Sequence, residues 1–181
     1  MKKLSIIVPV YNEINTLEII IKKLVDLNLY NNIEKEIIIV DDNSTDGSAK
    51  IIEKYESDYK FIKTYFKKEN KGKGDSQKIA KEFVTGDYVI IQDADLEYDP
   101  ADINKLLKIA EDEKKDFVIG HRIMKTTIKH PYFFFREVAV NTLTFLMNIL
   151  YRTAIKDCAC CYRLFTSDLW KNIDGRADQF E

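Results

Sequence analysis

The ten residues Tyr88-Val-Ile-Ile-Gln-Asp-Ala-Asp-Leu-Glu97 constrain this chain more than any other stretch, because an apolar run gives way there to acids spaced two apart. Four β-forming residues bounded by Gly86-Asp87 and by Asp93 suit a strand covered on both faces. Carboxylates at the end of such a strand project into the crevice at the carboxyl edge of an open α/β sheet, where ligands bind. Asp93, Asp95 and Glu97 are then expected to share one small volume, and three anions that close repel one another unless a cation joins them. Hard oxygen ligands with room for phosphates and water suit Mg2+ or Mn2+. A lone D-x-D is equally what a solvated acidic loop looks like, so the rest of the chain must decide.

The same ending recurs along the sequence. Leu4 to Val10 is an apolar strand closed by Tyr11-Asn12-Glu13, and Glu36 to Val40 runs straight into Asp41-Asp42. Phe61 to Phe66 is followed by Asn70-Lys-Gly-Lys-Gly-Asp-Ser76, in which Lys73 sits beside glycines and ahead of a helix N-terminus, a plausible anion site. Neither G-x-x-x-x-G-K-[ST] nor G-x-G-x-x-G is present, so the loop matches no standard phosphate motif. Between the strands lie helical stripes: Leu17, Ile20, Ile21, Leu24, Val25, with Asn15 and Glu18 suggesting a capping box; Ile51, Ile52, Tyr55; Ile79, Ala80, Phe83; and Ile103, Leu106, Leu107, Ala110 after an Asp99-Pro100 cap. Phe117 to Gly120 supplies a fifth strand. Alternation of this kind implies a three-layer α/β/α fold around a mainly parallel sheet, in one domain. Its polar strand ends then converge on one edge, which favours a metal-assisted nucleotide site over a solvated loop.

Composition removes other function classes. With 28 basic and 30 acidic residues among 181, no overall basic field points to nucleic acid. The start Met1-Lys-Lys-Leu-Ser-Ile-Ile-Val-Pro has too short an apolar run for a signal peptide, so a cytoplasmic location is expected. Cys158, Cys160 and Cys161 are odd in number and crowded, which suits a reducing compartment and small buried side chains on a strand near the site better than disulfides or zinc. Pro131 to Tyr151 is apolar but interrupted by Arg136, Glu137, Asn141 and Asn148, so it falls short of a span of about 20 apolar residues. Phe133 to Phe135 cannot all face one side of a helix. Left-over apolar surface near Lys125, Lys129 and Arg136 marks residues 125–151 as a candidate acceptor-side segment in contact with a membrane surface, with ordinary core packing as the alternative.

Six pieces in order, IIVPVYNE (6–13), IIIVDDNSTDGS (37–48), NKGKGDS (70–76), VIIQDADLE (89–97), GHR (120–122) and DCACCYRLF (157–165), resemble the family 2 glycosyltransferases of GT-A fold. Within that family the sequence is similar to the dolichyl- or polyprenyl-phosphate mannose and glucose synthases. The resemblance implies inverting transfer from a nucleoside diphosphate sugar, UDP- or GDP-linked, with Mg2+ or Mn2+ on the diphosphate. By the same resemblance Pro9, Tyr11, Glu13 and Asp42 cradle the nucleoside, Lys73 and Ala94 lie beside it, Asp93 contacts ribose or metal, and Asp95 holds the metal. Arg122 and Arg136 match positions that resemble acceptor-phosphate arginines, as suits a polyprenyl phosphate that arrives ionised and needs no base.

Three departures stand out. Glu97 replaces a common glutamine, Asp75 follows Gly74 where a small residue is usual, and relatives continue past Glu181, so a catalytic domain truncated at its C-terminus is expected. A hydroxyl acceptor would need a base, for which Asp157 or Glu181 is the candidate. A non-catalytic nucleotide-sugar-binding subunit and a nucleotidyltransferase are the rival functions. Intact Asp93, Asp95 and Lys73 disfavour the first, and PVYNE in place of a glycine- and arginine-rich loop disfavours the second.

Overall fold

The computed structural model describes residues 1–121 and 131–173, with the backbone alone for Pro131–Phe134, Arg136 and Glu137. Two compact units make up the chain: Met1–Val118 with Leu164–Glu181, and Ile119–Arg163.

In the first unit β1 (Lys3–Val10) leads through α1 (Leu17–Asp26) to β2 (Glu34–Asp41), α2 (Ser48–Asp58), β3 (Ile62–Phe66), α3 (Lys73–Lys81) and β4 (Tyr88–Ile91). The chain continues through α4 (Ile103–Asp112) to β5 (Phe117–Ile119), and after the second unit through β6 (Arg163–Thr166) to α6 (Ser167–Asn172). The sheet order is β3-β2-β1-β4-β6-β5. β1 pairs in parallel with β2 and β4, β2 pairs in parallel with β3, and β6 runs antiparallel to β4. The sheet is therefore mainly parallel, as the alternating pattern implies.

Burial explains why these strands are continuous apolar runs. Ile7, Ile38, Val40 and Val89 pack against Ala80, Val84, Phe165 and Trp170. Ile6, Val8, Ile37 and Ile39 alternate with them, point to the opposite face, and are also fully buried. A sheet covered on both sides is the three-layer arrangement, and each such aliphatic side chain contributes roughly 1.5–3 kcal/mol by leaving water. The expected stripes close those layers, with Leu17, Ile20, Ile21 and Leu24 buried on α1 and Ile103, Leu106, Leu107 and Ala110 on α4.

Two local expectations change. No Asn15 capping box forms: α1 begins at Leu17 with Thr16 ahead of it, and the Thr16 hydroxyl donates to Glu13 Oε2 at 2.7 Å. Glu18 is drawn instead to Lys22 and to the Tyr55 hydroxyl, partners one turn and one helix away. The cysteine run precedes β6 rather than lying in a strand, and only Cys160 is buried.

In the second unit α5 (Pro131–Tyr151) is held to the following loop by its polar residues. Cys158 N–H donates to Thr144 Oγ1 at 3.2 Å, while Asn148 donates to Ile155 O at 2.8 Å and accepts from Ile155 N–H at 3.0 Å. Asn148, an interruption in the sequence, is thus the anchor of that loop. Phe135, Val138, Leu143, Phe145, Leu146, Ile149 and Leu150 are exposed. Among the described residues no helix is long and apolar enough to cross a membrane.

Candidate functional site

Level strand ends create the site. Val10 is in register with Asp41, so the residues that leave β1 and β2 emerge side by side. A cleft of about 190 Å³ opens there, lined by Pro9, Val10, Tyr11 and Glu13 after β1, Asp42 after β2, Lys73 and Ser76 from α3, and Asp93, Ala94 and Asp95 after β4. Four segments distant in sequence meet at this edge, including every first-unit residue assigned to the nucleotide sugar from the resemblance.

The loops are tied to one another before any ligand is considered. Asn12, at φ 54, accepts from Thr45 N–H at 2.8 Å, and its own N–H donates to Ser44 Oγ at 3.0 Å. Asp46 accepts from Ile14 N–H at 2.9 Å and from Ser48 N–H and Oγ at 2.9 and 2.7 Å. Burial pushes the Asp46 carboxyl up, but the Ser48 hydroxyl and these N–H donors outweigh it and hold it below the ordinary aspartate value. The polar run after β2 is accordingly a brace for the loop after β1.

Asp42 braces the glycine loop in turn. Its carboxylate accepts from Lys71 N–H at 3.0 Å and Gly72 N–H at 2.7 Å. Gly72 has φ 87 and ψ 172, a conformation only glycine adopts without strain, and α3 starts at the next residue, Lys73. Lys67, buried like Asp42, places Nζ 2.5 Å from Asp42 Oδ1 and 2.6 Å from Asp75 Oδ2. Those contacts are ionic rather than aligned hydrogen bonds. Asp75, a departure from the family pattern, therefore has a local counter-charge.

Gln92 shapes the acidic loop. Fully buried, it donates from Nε2 to Asp93 O at 3.0 Å and to Tyr98 O at 3.1 Å, clasping both ends of the loop. Asp95 Oδ1 accepts from Glu97 N–H at 2.9 Å, and Leu96 turns the chain at φ 65. The turn corrects one expectation, since Glu97 does not line the cleft and, among the described residues, no three His, Cys, Asp or Glu side chains are grouped to hold a metal. Of the three acids of this loop, Asp93 and Asp95 line the cleft. Asp93 draws the Lys73 ammonium to 2.5 Å, which shows that a cation is stabilised at this point. Asp95 is exposed. One or two carboxylates completed by phosphate oxygens and water are the usual protein contribution to Mg2+, so Asp93 and Asp95 fit a divalent ion of the Mg2+ or Mn2+ kind.

The acceptor-side assignments fall outside the described residues or in the second unit. Arg122 and Glu181 lie outside the described residues, as does the side chain of Arg136. Asp157 belongs to the second unit, where it is buried and accepts from Ala159 N–H at 3.0 Å. Sequence reasoning missed Lys67, Gln92 and Ser76. Lys67 carried a usable signal, being the polar residue directly after β3. Gln92 carried none, since an amide between Ile91 and Asp93 does not reveal that it spans a loop.

Comparison with known proteins bears on the same region. The family model "Glycosyl transferase family 2" matches residues 5–173. A cholesterol galactosyltransferase of Borreliella burgdorferi is 36% identical over 116 residues, covering 64% of this chain and 31% of the relative. A mannosyltransferase from Pyrobaculum calidifontis, solved with GDP-Man and Mn2+, superposes with a TM-score of 0.69 at 21% identity, over 97% of this chain and 47% of that one. Glucosyl-3-phosphoglycerate synthase from Mycobacterium tuberculosis, solved with Mn2+, UDP and phosphoglyceric acid, gives 0.68 at 18% identity, over 93% and 57%. The chain thus spans about half the length of the two solved proteins and about a third of the galactosyltransferase. The solved structures share the fold.

Proposed function

Because the chain belongs to glycosyl transferase family 2, we propose that its cleft binds a UDP- or GDP-linked sugar with a divalent ion and transfers the sugar, with inversion, to a polyprenyl phosphate at the cytoplasmic face of a membrane. The observation that carries the donor half is the meeting of Tyr11, Glu13, Asp42, Lys73, Asp93 and Asp95 in one cleft. Asp95 and Asp93 would hold the ion, and the ion would neutralise the diphosphate leaving group. Pro9, Tyr11, Glu13 and Asp42 would receive the nucleoside, with Ala94 leaving room at the floor. The Mn2+ and nucleotide in two structurally similar proteins support this assignment.

The acceptor half is supported by residue chemistry. Arg122 and Arg136 supply planar forks that grip a phosphate bidentately. The exposed aliphatic and aromatic side chains of α5 suit a lipid surface. A hydroxyl acceptor is the second reading, favoured by the galactosyltransferase relative whose name gives cholesterol as its acceptor. In that case Asp157 is the candidate base.

Calorimetry with UDP-, GDP- and dTDP-sugars, with Mn2+ or with EDTA, tests the donor assignment. Binding should require the metal, and Asp95→Asn should weaken it far more with Mn2+ than with EDTA. Equal affinity in both media removes the metal role. Transfer assays then separate the acceptors: Arg122→Ala and Arg136→Ala abolish most transfer to polyprenyl phosphate while sparing donor binding, whereas loss of transfer to a hydroxyl acceptor in Asp157→Asn selects the second reading.

A further inference from the structure

Lys73 opens α3, yet its ammonium turns to a carboxylate rather than standing free in the cleft. Nζ lies 2.5 Å from Asp93 Oδ1, and the two side chains are 30% and 14% exposed. The backbone beneath Lys73 is fixed, because Gly72 N–H is held by Asp42, which Lys67 holds in turn. Only the four-carbon stem is left to move, and an ammonium on such a stem is a mobile point charge. The carboxylate that it occupies is one of the two that fit a divalent ion.

We propose that Lys73 is the resting counter-cation of Asp93 and competes with the divalent ion for that carboxylate, until a diphosphate draws the ammonium to its own oxygens. The inference rests on the nucleotide diphosphate reading given above. Two positive charges do not share one carboxylate at contact distance without mutual repulsion, so a metal ion arriving alone must displace Lys73 or do without Asp93. A diphosphate supplies several anionic oxygens at once, and the N–H groups at the start of α3 favour the same anion. Ion and nucleotide therefore bind as a pair. The switch makes and breaks no covalent bond.

Titration of the chain with MnCl2 alone tests this, using wild type, Lys73→Met, Lys73→Gln and Lys73→Arg, each also with Asp93→Asn. Lys73→Met and Lys73→Gln should bind Mn2+ about tenfold more tightly than wild type, and Lys73→Arg should stay near wild type. With Asp93→Asn present, removal of the Lys73 charge should change nothing. With UDP or GDP and saturating Mn2+, Lys73→Met should bind nucleotide more weakly, so that one substitution moves the two affinities in opposite directions. Equal Mn2+ affinity in wild type and both neutral variants, or a gain that persists beside Asp93→Asn, overturns the proposal. Tighter Mn2+ binding in the neutral variants, with wild type binding no nucleotide at all, would keep the competition at Asp93 and remove the nucleotide reading instead.

Discussion

Lys67 Nζ stands 2.5 Å from Asp42 Oδ1 in surroundings that leave each side chain only 4% exposed, and it reaches Asp75 Oδ2 at 2.6 Å on its other side. One buried cation thus keeps apart two carboxylates that face the same space, and Asp42 in turn holds the glycine loop. Removing one partner of a buried ion pair leaves an uncompensated charge and typically costs about 3–5 kcal/mol. Lys67→Met should lose stability of that order in urea unfolding, and Lys67→Met with Asp75→Leu should recover part of it. No recovery in the double variant would mean that the two acids do not share Lys67 energetically.

Glu36 predicts how stability falls in acid. At 1% exposure it accepts from Ser5 Oγ at 2.7 Å, Thr85 N–H at 2.7 Å and Thr85 Oγ1 at 2.8 Å, and Lys63 Nζ lies 3.0 Å away. Burial pushes its carboxyl up, but these donors together hold it at about 2. Because the folded value lies below the unfolded one, the stabilisation is complete above about pH 4.5 and is lost as pH falls toward 2. Its full size is on the order of 3 kcal/mol. Glu36→Gln should flatten that part of the stability-against-pH curve. An unchanged slope would remove Glu36 from the acid transition.

Gly86 should tolerate no side chain. A Cβ there would stand 2.7 Å from both Lys3 O and Ser5 Oγ and 2.9 Å from Ser5 N, against backbone that cannot retreat. Overpacking of this kind costs typically about 1–3 kcal/mol. Thermal melting of Gly86→Ala should show a fall to match, while cleft residues at the opposite end of β1 keep their nucleotide affinity. A melting temperature equal to that of wild type would show that the start of β1 yields.

α5 should bring the chain to anionic liposomes. Basic residues near a bilayer contribute about 1 kcal/mol each; Lys125 and Lys129 precede the helix in the sequence and Arg136 falls within it. Binding should rise with anionic lipid and fall with salt, and Phe145→Glu with Ile149→Glu, both at exposed positions, should weaken it. Sedimentation that is indifferent to lipid charge and to the double substitution would assign this face another role.

Local periodicity carried the order of the elements. Apolar runs of strand length and stripes of helical period are properties of neighbours in the chain, and burial on both faces leaves them little choice of structure. The polar endings of β1, β2, the glycine loop and β4 were legible for the same reason, and a mainly parallel sheet brings such endings to one edge. Pairing among those endings was not legible. Asp42 and Gly72 are 30 residues apart, and only the register of β2 and β3, which sets Asp41 beside Phe66, with the positive-φ turn at Gly72 brings the carboxylate to that N–H. Spacing alone placed Glu97 with Asp93 and Asp95, whereas the turn at Leu96 and the Glu97 N–H bond to Asp95 keep it from lining the cleft. Residue type determined that this edge would be charged and polar. Distances of a few ångströms between segments remote in sequence decided which lysine neutralises which acid, because ionic contacts depend on geometry that no single stretch of chain contains.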